Sequence, residues 1–136
     1  MARYTFHCPL RWSDSDTNQH INNVAFARYL EEARVHLQYD MTRALADRAP
    51  KDTAYIVARQ EIAFRRPLLY RPEPVTIETW VTKIAGASLV LAYEIKDGED
   101  VYATASSTLV SFNTVQQRPA RLSDAERDYL TPLLEA

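Results

Sequence analysis

The strongest hydrophobic pattern in the chain has a helical period. Ala27, Leu30, Arg34, Leu37, Met41 and Leu45 follow one another at steps of three or four residues. Every member but Arg34 is apolar, and Glu31, Glu32, Gln38, Asp40 and Arg43 fill the flanks. Such spacing lines one face of an α-helix and predicts a single long helix over residues 23–46. At 1.5 Å per residue it would run roughly 36 Å. A polar connection containing Pro50 follows at residues 47–53.

From residue 54 the chain reads as β. Tyr55 to Phe64 reads as a strand running into Arg65-Arg66-Pro67. Val75, Ile77, Thr79 and Val81 alternate with Thr76, Glu78, Trp80 and Thr82, and Leu89, Leu91, Tyr93 and Ile95 form the next set. Gly86 marks a turn between them, and Asp97-Gly98 is a strong hairpin signal. Val101 to Thr114 supplies a last long strand. Ser123 with Glu126 has the spacing of a capping box before a short terminal helix. Ahead of the long helix, the aromatic-rich residues 4–12 read as a first strand, with Pro9 at an edge or bulge. Residues 13–23 are a polar loop ending in Asn22-Asn23, either of which can cap a helix.

The resulting order is β-α-β-β-β-β. One long helix can bury its stripe on one face of an antiparallel sheet, so the expected class is α+β with the helix on one side. No internal repeat or linker divides the chain, and residues 1–136 are expected to form a single domain.

Composition narrows the function. With 46% hydrophobic and 25% charged residues, the chain has an ordinary globular balance. A formal charge of −2 gives no basic excess for nucleic acid. One cysteine excludes a disulfide framework and a Cys-rich zinc site, and no metal is expected. Gly86 and Gly98 are the only glycines, too few for a Walker loop or a dinucleotide fingerprint. No apolar run approaches a membrane span, and the N-terminus lacks a signal-peptide stretch. A cytoplasmic protein without membrane contact is expected.

The chemistry concentrates in Arg11-Trp12-Ser13-Asp14-Ser15-Asp16-Thr17-Asn18-Gln19-His20-Ile21-Asn22-Asn23. Two carboxylates, an imidazole and several side-chain amides stand just before a helix start. A carboxylate can serve as base or nucleophile, and a histidine can move a proton near neutral pH. Unpaired N–H groups at a helix start suit a developing oxyanion. The alternative is that the Asp and Asn residues only satisfy a turn and a cap. Elsewhere, Cys8 reads as a buried thiol, His7 and His36 lack metal spacing, and Glu61 reads as an ordinary strand residue. Arg34 in the apolar stripe can pair with Glu31. Phe26, Tyr29 and Tyr55 could wall a pocket or belong to the core.

The run from Arg11 to Arg34 resembles the front of hotdog-fold thioesterases of the 4-hydroxybenzoyl-CoA thioesterase type. Arg59 to Pro67 and Ala85 to Leu89 resemble later parts of the same family. The stretch Asp16 to Asn23 also resembles the D-x-N-Q-H-x-N-N motif of plant-type acyl-ACP thioesterases. Many relatives carry Gly before the His, where this chain has Gln19. The resemblance implies a five-stranded antiparallel sheet wrapped round one helix. It implies no cofactor, and a homodimer or homotetramer with the active site at the subunit interface. It implies hydrolysis of an acyl-CoA thioester, with Asp16 as base or nucleophile and the Asn23 backbone N–H on the carbonyl. His20 and Asn18 join the catalytic set through the second motif, and Asn22 is carried as a substrate contact. Arg65 and Arg66, from the densest basic stretch, suit CoA phosphates, and Ser88 follows a turn that can touch pantetheine. Acyl-ACP hydrolysis and non-catalytic acyl-CoA binding are the alternative readings. A hydratase is disfavoured, because the helix start shows no His–acid pair.

Overall fold

The computed structural model describes residues 2–135. Its main elements are β1 (Tyr4–Cys8), α1 (Asn23–Leu45), β2 (Thr53–Phe64), β3 (Val75–Ile84), β4 (Ser88–Asp97), β5 (Asp100–Asn113), β6 (Arg118–Pro119) and α2 (Asp124–Leu130). The strands lie side by side in the order β1-β3-β4-β5-β2, every pair antiparallel, and β6 adds two residues to β5. One long helix lies on one face of a curled antiparallel sheet, which is the hotdog arrangement.

The helix forms where the periodicity places it. Its buried stripe is Ala25, Phe26, Tyr29, Leu30, Ala33, Arg34, Leu37, Met41 and Leu45. Ala27, expected in the stripe, is only half-buried, because the first turn enters the core through Ala25 and Phe26. Facing the helix, Val75, Ile77, Thr79 and Val81 of β3 and Leu89, Leu91, Tyr93 and Ile95 of β4 are buried as their alternation requires. The β4–β5 hairpin closes through Gly98-Glu99, with Gly98 at φ 59°, a conformation glycine adopts without a Cβ clash. Ser123 and Glu126 form the expected capping box at α2.

Two elements depart from expectation. β1 stops at Cys8, since Pro9 offers no N–H to continue the ladder, and the chain instead makes one 3-10 turn over Trp12–Asp14. The two-residue β6 has no period of its own and forms only by returning to β5.

β2 closes one side of the sheet with twelve residues and an unpaired edge. Ile56, Val57 and Phe64 are exposed along it. A long apolar edge of this kind is a template for another strand.

Candidate active site

The loop between β1 and α1 is built around Asp14. Asp14 is only 3% exposed. The Tyr29 hydroxyl donates to one carboxylate oxygen at 2.8 Å and Arg28 donates to the other at 3.2 Å. The Asp14 carbonyl accepts from both the backbone N–H and the side-chain amide of Asn22, at 2.9 and 2.8 Å. Burial and the Asp14 carboxylate push the Tyr29 phenol above its ordinary value. All these bonds hold the loop against the helix.

Asn22 is thereby occupied. Its side-chain oxygen accepts from the Ala25 N–H at 2.9 Å and caps α1, while its amide nitrogen is held by Asp14. Both polar ends of this side chain, expected as a substrate contact, are thus engaged within the fold.

Asp16 lies outside this anchor, exposed at a tight turn. Its Oδ1 accepts from the N–H groups of Asn18 and His20, at 2.8 and 3.1 Å. Its backbone N–H donates to the His20 carbonyl, and Gln19 N–H donates back to the Asp16 carbonyl. Gln19 closes the turn at φ 66°, in left-handed space. Two backbone tethers fix the loop to the β2–β3 connection: His20 bridges Leu69, and Ile21 N–H donates to the Leu68 carbonyl at 2.7 Å.

These constraints set Asp16, His20 and Asn23 around one cleft of about 300 Å³. Ile21, Phe26, Phe64 and Pro67 supply its apolar wall, and Arg65 and Arg66 its cationic rim. Phe26 and Phe64 meet edge to face, with centroids 5.3 Å apart. Because Asn22 is the cap and serves the Ala25 N–H, helix geometry leaves the Asn23 and Val24 N–H groups without intrahelical acceptors. They carry the positive end of a 23-residue helix. An aspartate, a histidine and the first residue of the helix therefore line one space.

The basic rim is set by the end of β2. Arg65 and Arg66 N–H groups both donate to the Tyr102 carbonyl, at 2.8 and 3.1 Å, which bends the chain there. Arg66 pairs with Asp100 at 3.0 Å, while the Arg65 guanidinium reaches the Thr104 hydroxyl at 3.4 Å.

Two expected members stand apart. Asn18 sits at the exposed tip of the turn, where its N–H serves Asp16 and its side chain does not line the cleft. Ser88 opens β4 opposite Val110, whereas the cleft lies at the level of Phe64, Ala103 and Ile95. Seven residues of strand, about 23 Å, separate the two levels. Within one chain Ser88 therefore does not reach the cleft. Of the possible pocket walls, Phe26 lines the cleft, Tyr29 is core, and Tyr55 bonds Glu126 beside a different cavity. Cys8 is buried, and its thiol is pushed up to about 12 by burial, with Glu32 and Asp14 adding to the rise. Phe64 lines the cleft with no sequence signal beyond its place at the end of a strand, beside Arg65.

Residues 10–130 match the family model of the Thioesterase-like superfamily. No curated protein matches the sequence. Among solved structures, a predicted thioesterase from Bacillus stearothermophilus is 26% identical, with a TM-score of 0.86 over 98% of both chains. The PA2801 protein from Pseudomonas aeruginosa is also 26% identical, with a TM-score of 0.80 over 94% of this chain and 98% of that one. A thioesterase from Thermus thermophilus, complexed with coenzyme A and Zn, shares the fold at 24% identity and a TM-score of 0.79, over 95% of this chain and 92% of that one. The matched span covers most of the sequence, and the chain belongs to the Thioesterase-like superfamily.

Proposed function

We propose that the protein is an acyl-CoA thioesterase of the 4-hydroxybenzoyl-CoA thioesterase type, releasing a free acid and CoA. The observation that carries this reading is that Asp16 and Asn23, the first residue of α1, line one cleft. The thioester carbonyl oxygen is held by that N–H, where the helix dipole stabilises the charge that develops on it. Asp16 acts on the carbonyl carbon in one of two ways. It takes a proton from a water whose oxygen adds to the carbon, or it adds itself and forms an anhydride that water then opens. In both routes the carbon–sulfur bond breaks and the thiolate leaves. His20 stands beside this space and moves a proton between water and the leaving group. Arg65 and Arg66 attract the phosphate-bearing carrier arm.

Coenzyme A as the carrier is supported by the arginine rim and by the CoA held on the same fold in the T. thermophilus protein. The acyl-ACP motif is less well served, since Asn18 stays outside the cleft. The exposed edge of β2 suits a second copy, and Phe64 would put the cleft at the seam of that homodimer. Thiol release from a panel of acyl-CoAs, beside matched acyl-ACPs, tests the carrier. Turnover of acyl-CoA is expected. Turnover of acyl-ACP alone would move the carrier assignment, and binding without release from either would sink the enzyme reading.

A further inference from the structure

Asp16 borders a second groove as well as the cleft. This groove, about 790 Å³, shares Asp16 and no other lining residue with the cleft. Its walls are Trp12, Leu69 and Tyr70, with Ser13, Thr17 and Gln19 along the loop. Trp12 is 76% exposed, Leu69 56% and Tyr70 39%. Three large apolar side chains bared together in one concavity mark a binding surface. The position is also fixed, because Leu69 is bridged to His20 and the 3-10 turn sets Trp12 two residues before Asp14.

The two spaces differ in charge. The first has Arg65 and Arg66 on its rim, whereas among the described residues Asp16 is the one charged side chain bordering the second. A thioester divides in the same way at its carbonyl. One arm is a thiol carrier rich in phosphate, and the other is an acyl group that is mostly hydrocarbon. We infer that the groove of Trp12, Leu69 and Tyr70 receives the acyl arm and selects for its length. The carrier arm leaves through the arginine-rimmed cleft. The inference rests on the reading of Asp16 as the point where the thioester carbonyl sits.

Chain-length dependence tests it. Burying methylenes on this wall makes kcat/KM rise with acyl length, by about twofold to fourfold per methylene. Trp12→Ala and Leu69→Ser, both at exposed positions, flatten that rise. Their loss is expected to be far smaller for acetyl-CoA turnover and for inhibition by free CoA than for long acyl chains. An unchanged slope in both variants overturns the inference. Equal losses at every acyl length, with weaker inhibition by CoA, would assign the groove to the carrier and also overturn it. Absence of thiol release by the wild type on any thioester would instead defeat the proposed function itself.

A binding measurement stands apart from turnover. The chain has two tryptophans, and Trp80 lies under the Arg3 guanidinium at 3.6 Å. In a Trp80→Phe, Asp16→Asn protein, decanoyl-CoA shifts Trp12 emission to the blue while CoA alone does not. An equal shift with CoA alone contradicts the acyl assignment.

Discussion

Asp14 and Asp16 are separated by one residue and face opposite surroundings. Asp14 is enclosed by Tyr29 and Arg28, while Asp16 has one oxygen on two backbone N–H groups and borders open space. Nothing in their spacing assigns these roles. The difference comes from Tyr29, fifteen residues on, whose hydroxyl reaches one aspartate only after the helix has formed. Asn22 and Asn23 divide in the same manner, since the cap position decides which side chain is consumed. Gln19 holds a left-handed conformation that burdens any residue with a Cβ. Gln19→Gly is therefore expected to raise the unfolding free energy by about 0.5–1 kcal/mol. Urea denaturation measures this, and a loss of stability would show that the Gln19 side chain contributes more than the backbone strain removes.

Among the elements, α1 and the β3–β4 pair were the most legible in the sequence. Each repeats one period over seven or more residues, so individual exceptions such as Arg34 do not mask it. The end of β1 and the whole of β6 were not legible, because both depend on where the chain finds a partner. The outer face of β3 and β4 carries a network that alternation exposes but does not pair. Glu78 receives Arg3 at 3.1 Å and Lys96 at 3.0 Å, and Arg3 also reaches Glu94 at 2.9 Å. Burial raises the Glu78 carboxyl, but the bonds from Lys96 and Arg3 outweigh it and leave the group below its ordinary value of 4.5. A carboxyl depressed in the folded state stabilises the fold above its unfolded value. That contribution disappears as pH falls below about 4.5 and Glu78 takes up a proton. Glu78→Gln is expected to lose about 0.5–1 kcal/mol at pH 7 and to show a shallower fall in stability between pH 6 and 3.5. Parallel pH profiles for the two proteins would exclude Glu78 as the source.

At the scale of the whole molecule, the free edge of β2 and the cleft beside Phe64 belong to one problem. The edge exposes Ile56, Val57 and Phe64, and a second copy laid along it would cover them and wall the cleft. Sedimentation is expected to give twice the 15.6 kDa chain mass for the wild type and a shift toward the single chain for Val57→Lys. A monomeric wild type would remove the second copy from the account. The sequence implied this arrangement only through resemblance, because exposure of an edge strand becomes visible once the strand order is known. The same holds for the Trp12 groove, whose walls come from residues 12 and 69–70 and meet through the His20–Leu69 bridge.

The central claim is that Asp16 performs the chemistry of thioester hydrolysis. Its most direct test is the steady-state rate of thiol release from an acyl-CoA by Asp16→Asn and by the wild type, at matched protein concentration. Circular dichroism on both proteins establishes that the fold is intact. Asparagine keeps the shape and the Oδ1 acceptor that orders the turn, but gives up the charge. With an unchanged spectrum, kcat is expected to fall by about 100-fold or more. A folded Asp16→Asn protein that turns over at the wild-type rate would contradict the claim.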